Sequence, residues 1–183
     1  MATTPDKTIY QRAGEWGIPF GLYMACAAVA SIFADKFLPL GYVFLIMLLC
    51  TPVVVYRLQR LKFVEDKGTT DHAALWMLGI LLFILGMIVS GTVVYLVLQY
   101  IRPAYMYEQA QAAIEAYSKL PQMADSDMLR VLRRMVDEHL MPSPIQVVFD
   151  AFWFVAFGGS VLSAVTAIFA RRPLDTAGRN NHH

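Results

Sequence analysis

This sequence predicts an all-α polytopic membrane protein, with four transmembrane helices and an extracytoplasmic helical hairpin between the third and fourth. Three observations predict it. Of 183 residues, 57% are hydrophobic and only 16% charged, against roughly 25% charged in an average soluble domain. The mean hydropathy is +0.49. The apolar residues fall in four long runs, and none shows the polar face, recurring about every 3.6 residues, that a helix of a soluble bundle would carry. The whole chain, 1–183, reads as a single membrane domain.

A spanning helix needs about 20 mostly apolar residues. The first run, 17–34, is 18 residues without a charge. Pro19 falls in its first turn, where the missing N–H costs little. This run could instead be a signal peptide, because Ala28-Val29-Ala30 before Ser31 resembles a cleavage site and Lys7 and Arg12 could form its leader. Asp6 and Glu15 in that leader, and the length of the apolar stretch, favour a retained span. A turn at Asp35-Lys36-Phe37, closed by Pro39, makes the second run (38–56) its antiparallel neighbour. Pro52 should bend that second helix by freeing a carbonyl one turn back. The third run, 73–101, has no charge in 29 residues, and the fourth, 145–170, has one acid, Asp150, in 26. Tyr10, Trp16, Tyr23, Tyr42, Tyr56, Trp76, Tyr100 and Trp153 lie near expected interfaces, as aromatic belts require.

Small residues mark the expected packing faces. Gly17 and Gly21 are four apart, Gly79, Gly86 and Ser90 share one stripe of the third span, and Gly159 and Ser163 share one of the fourth. Rows of this kind let helix backbones approach closely in lipid.

The connection 102–144 is too long for a plain turn. Tyr105 to Lys119 is rich in Ala, Gln and Glu, which are good helix formers. Leu120-Pro121 ends it. Asp125 or Ser126 then caps a second helix with Asp127 in its first turn. Met128, Leu132, Met135, Val136 and His139 make its apolar-leaning face. The pair reads either as a lid or docking element, or as amphipathic helices resting on the bilayer or capping the bundle.

Orientation follows the cations that flank the spans. With four spans, the N-terminal segment, the loop 57–72 and the C-terminal segment share a side and hold nine Lys and Arg, against six on the other side. The nine include Lys7, Arg57, Arg60, Lys62, Lys67 and Arg179, and most abut helix ends. Both termini are therefore expected to be cytoplasmic.

Several function classes fall away. The net charge of +1 is not that of a nucleic-acid binder, which needs a basic excess on one face. Two cysteines, Cys26 and Cys50, lie inside spans and read as small apolar residues rather than a redox pair. His72, His139, His182 and His183 have no second ligand at metal spacing. No phosphate loop, His-Glu-x-x-His or Gly-x-Ser-x-Gly occurs. The expectation is no catalytic residue, no metal and no cofactor. The partners expected are the lipid bilayer and either other membrane proteins or a second copy of the chain.

One polar cluster remains as a candidate site. Asp150 lies near the start of the fourth span, and the third span ends on the same side with Gln99 and Arg102. An Asp150–Arg102 pair with Gln99 nearby would tie the two spans together. Alternatively, Asp150 is a proton or cation relay, a role that intramembrane acids often play.

Certain strings are similar to a known family. They are Glu-Trp-Gly-Ile-Pro-Phe-Gly-Leu-Tyr at 15–23, Pro52 before Tyr56-Arg57, Ala74-Leu75-Trp76, Tyr100-Ile101-Arg102-Pro103, Pro144-Ile145-Gln146 and Gly159-Ser160. With the order of spans and the long outer loop, they resemble the bacterial membrane family called domain of unknown function 4199. The resemblance implies a four-helix inner-membrane protein of Gram-negative bacteria and a first span that is retained. It supplies no activity, cofactor or catalytic residue. The expected role is non-enzymatic, a small scaffold or accessory subunit. The alternative is an oligomeric transporter or channel component, since four short spans with one acid make a poor pore alone.

Overall fold

The computed structural model describes residues 8–120, 126–138 and 140–172. Lys7, Pro121, Asp125, His139, Arg179 and the terminal His182-His183 pair lie outside them. Among the described residues there are six α-helices and no strand: α1 (Ile9–Phe33), α2 (Leu38–Glu65), α3 (His72–Leu96, continued by a π-helical turn over Val97–Ile101), α4 (Tyr105–Ser118), α5 (Asp127–Asp137) and α6 (Pro144–Ala170). Four of them, α1, α2, α3 with its π turn, and α6, are long and apolar enough to cross a membrane.

Two spans are longer than their apolar runs. A capping box starts α1 at Ile9: the Thr8 hydroxyl accepts from the Gln11 N–H, and the Thr8 N–H donates to Gln11 Oε1 at 3.0 Å. Pro19 is therefore inside α1 rather than in its first turn. Likewise, α2 runs past Tyr56 to Glu65, so Arg57, Arg60 and Lys62 belong to the helix and not to a loop. Charge ends a hydrophobic run but not a helix, because Leu, Arg, Lys and Gln are all good helix formers. What ends α2 is its C-cap. Gly68 N–H donates to Phe63 C=O at 2.8 Å and Lys67 N–H to Val64 C=O at 3.0 Å, with φ of 53° at Lys67 and 82° at Gly68. That is the Schellman pattern, which satisfies carbonyls the helix leaves free.

The chain divides into two compact units, one comprising residues up to Gly91 and from Phe152 onward, the other Thr92–Ala151. In the first, the core is Ala13, Phe20, Val55, Leu78, Leu82 and Phe83. The Phe20 and Phe83 rings meet edge to face with centroids 5.3 Å apart. Glycines set the spacing. A Cβ on Gly17 would lie 2.9 Å from Leu85 Cβ, one on Gly21 2.6 Å from Val89 Cβ, one on Gly86 2.9 Å from the Phe20 ring, and one on Gly159 2.4 Å from the Phe83 ring. So α1 and α6 both approach α3 at points where one partner has no side chain. Ser90 is buried, with Oγ 3.6 Å from Met87 Sδ.

The N-terminal half of α2 behaves differently. It buries nothing before Val55, and Leu45, Ile46, Leu48 and Leu49 are exposed. Its contacts are with α1. Tyr23, near the middle of α1, donates its hydroxyl to Met47 C=O, which also accepts from Thr51 Oγ1 at 3.0 Å. This is the stretch just before Pro52, where a helix is short of backbone donors.

In the second unit, Arg102 N–H closes the π turn on Val97 C=O at 2.8 Å, and Tyr105 N–H turns back onto Arg102 C=O at 3.1 Å. The Ser126 hydroxyl caps α5 by accepting from Leu129 N–H. The helices α4 and α5 contact each other. On α5 the inward row is Leu129 and Val136, with Leu132 part-buried, while Met128 is exposed. A helix that starts at Asp127 places residues 129, 132 and 136 on one face, so Met128 leaves the expected apolar row.

Candidate functional site

A band of polar side chains of the first unit lies where α2 outruns its apolar segment. Gln59 is fully buried there. Its Nε2 donates to Leu75 C=O at 3.1 Å, to Ser163 C=O at 3.1 Å and to Ser163 Oγ at 2.9 Å. Ser163 Oγ in turn donates to Trp76 C=O at 3.0 Å. One amide therefore ties α2, α3 and α6. Gly79 makes the room: a Cβ at that position would sit 1.7 Å from Ser163 Oγ and 2.9 Å from Gln59 Nε2. A second tie runs from the Trp76 indole N–H to Ser160 C=O at 3.0 Å.

From the next residue of α2 onward the ties are made by charged side chains. Arg60 donates to the C=O of Ala170 at 2.9 Å and to that of Arg172, so a cation from α2 caps the carbonyl end of α6. That is the favourable sign for a helix C-terminus. Arg12 of α1 pairs with Glu65 of α2 at 2.7 Å and with Glu15 at 3.0 Å, and lies 5.2 Å over the Trp16 ring. Lys62, almost wholly buried, pairs with Asp66 at 2.7 Å, and Asp66 also accepts from the Thr70 hydroxyl. Partial burial pushes the Asp66 carboxyl up. Hydrogen bonds from Lys62 and Thr70, and the charges of Lys62 and Arg12, outweigh it and hold the group below the usual carboxylate value of 3.8.

This band lies outside the candidate site expected from sequence. A signal for it was present: Val55, Gln59, Lys62 and Phe63, the residues α2 buries, follow the spacing of one helix face straight through the charged stretch.

The expected cluster of Asp150, Arg102 and Gln99 is arranged otherwise. Arg102 is buried, pairs with Glu108 and lies 5.0 Å over the Tyr105 ring. The tight return after the π turn brings α4 alongside at once, so an acid six residues on reaches the guanidinium first. Gln99 is exposed on the π turn. Asp150 is exposed on α6 and has no ion pair or hydrogen bond with the described residues. It lines a groove of about 770 Å³ with Gln146, Ile145 and Phe149 of α6 and with Met135, Leu140, Met141 and Pro142. Gln146 is engaged at the helix start, where its Oε1 accepts from Ser143 N–H at 2.8 Å. Among the described residues, no group of three or more His, Cys, Asp or Glu is placed to hold a metal ion.

Four long apolar helices, tied to one another by side-chain bonds onto neighbouring carbonyls, define a multi-pass helical membrane protein. Its family is shown by comparison. The family model described as "Protein of unknown function (DUF4199)" matches residues 15–172, and the chain belongs to that family. No curated protein and no solved structure gives a significant match.

Proposed function

We propose that this protein is a non-enzymatic scaffold or accessory subunit of the bacterial inner membrane. In this reading both termini are cytoplasmic, and α4 and α5 form an extracytoplasmic helical hairpin. The observation that carries it is how three buried polar side chains of α2 and α6, Gln59, Ser163 and Thr166, are used. Gln59, Ser163 and Thr166 all donate to backbone carbonyls of their own or adjacent helices. Bonds of this kind fix helix positions in lipid. A transport path asks for the opposite, polar groups turned toward a shared passage.

Purification of the tagged chain in mild detergent, followed by native mass measurement, tests the reading. A second membrane protein should remain bound in fixed ratio and survive exchange of detergent. A homo-oligomer with no other protein bound would replace this reading with that of a transporter or channel component.

A further inference from the structure

The groove of the second unit has the make-up of a site for a charged amphiphile. Its described walls are chiefly apolar, with Met135, Leu140, Ile145 and Phe149, and the one carboxylate among the described lining residues is Asp150. The volume of about 770 Å³ falls within the roughly 300–1,000 Å³ usual for small-molecule sites. Asp150 lies six residues into α6, or about 9 Å along its axis at 1.5 Å per residue. A headgroup layer is roughly 5–7 Å deep on each side of the hydrocarbon. With α6 entering the headgroup layer at its first residue, Pro144, the carboxylate would stand close to where headgroups give way to acyl chains.

A carboxylate at that depth calls for a cation. Within the unit, the described cation pairs run elsewhere, Arg102 to Glu108, Lys119 to Glu115, Arg130 to Asp127 and Arg134 to Glu138, and Arg133 forms no ion pair with Asp150. The complementary charge can come from the bilayer itself. A phospholipid ammonium carries its own apolar chains, which suit Ile145 and Phe149 one turn apart on α6. A primary ammonium also brings N–H donors for the carboxylate. A quaternary one has none and is usually held by several aromatic faces, whereas among the described residues that line the groove there is one ring, Phe149. An anionic headgroup would meet Asp150 with like charge.

We infer that this groove binds a phospholipid with a primary-ammonium headgroup, of the phosphatidylethanolamine class, with the ammonium on Asp150. The inference rests on the chain spanning a membrane and not on its being a scaffold, so either can fail alone.

The test uses the full chain, purified free of lipid in mild detergent, with bound lipid counted by native mass spectrometry. Phosphatidylethanolamine should be retained roughly five-fold over phosphatidylglycerol and over phosphatidylcholine, the upper end of what an ion pair gives where solvent reaches it. Asp150→Asn should erase that preference while keeping the parent's melting temperature in lipid-free detergent, since Asp150 braces no described residue. Asp150→Glu should keep the preference. Phosphatidylethanolamine acetylated on its amine should lose its advantage on the parent protein, which decides the matter without a variant if Asp150→Asn does not fold. Equal retention of the three lipids, a preference that survives Asp150→Asn, or one that survives acetylation would each overturn the inference.

Discussion

Gly79 holds the tightest position in the protein's polar network. Its missing side chain is the space that the Gln59 amide and the Ser163 hydroxyl occupy. A methyl group there cannot be absorbed by a flexible side-chain end, because Ser163 Cβ is itself only 2.7 Å from the new atom. Forced overpacking costs about 1–3 kcal/mol, and each interhelical hydrogen bond lost in a membrane bundle adds about 0.6 and up to 1.7 kcal/mol. Gly79→Ala should therefore destabilise the protein by about 2–4 kcal/mol on these two terms. Gly158 is the control, since nothing lies within 4 Å of a Cβ built on it. Gly158→Ala should be neutral or gain up to about 1 kcal/mol from reduced backbone freedom. Unfolding both variants in mixed micelles of rising denaturing-detergent content measures the difference. Equal losses would mean that α3 and α6 are not in contact at this point.

The end of α2 makes a separate prediction through Asp66. Its carboxyl is held below the ordinary value of 3.8 by Lys62, Thr70 and Arg12 against the opposing pull of burial. The unfolded chain then takes up the proton first as pH falls. The stabilisation is complete well above 3.8, and it is lost as pH drops through that value toward the lowered one. Melting in detergent between pH about 5 and 3 should fall more steeply for the parent than for Asp66→Asn, with the two converging at the acid end. Parallel curves would show that the carboxylate contributes no folded-state pairing. The same stretch shows what a single sequence reveals. Hydropathy located the four spans to within a few residues wherever a helix ends in lipid-like composition, as with Leu38 and Ala170. It stopped short at Tyr56 and Gly17, because it reports solvent preference and not backbone hydrogen bonding. The marks of the true ends were local: Thr8 with Gln11 at one, Lys67-Gly68 at the other. The polar ties were harder to read. That Gly79 is small is plain from the letters, but that it faces Ser163, eighty-four positions away, depends on how α3 and α6 rotate. Span order puts Arg102 on the same side as Asp150, but the π turn and the short return after it bring Glu108 to the guanidinium instead, which span order alone does not show.

For the molecule as a whole, orientation is the property most open to direct measurement. Nine cations fall in the N-terminal segment, residues 57–72 and the C-terminal segment, and six in the other connections, and cations near span ends favour the cytoplasm. Alkaline phosphatase fused after Lys119 should be active, and a fluorescent protein that matures only in the cytoplasm should shine when fused after Arg172. A silent phosphatase at Lys119 with a dark reporter at Arg172 would turn the topology over and move α4 and α5 to the cytoplasm.

The Gln59 clamp also bears on how the protein is made. Its amide finds one acceptor in Leu75, sixteen residues on, and the others in Ser163, 104 residues later. At about 5–20 residues per second of synthesis, Gln59 waits about 5–20 s for its last partner, and for that time the nascent protein carries a poorly satisfied amide within its second span. The early spans thus have a reason to linger beside the insertion machinery until the final span arrives. A chain truncated before α6 should be a target for membrane quality control, even though its first three spans are intact.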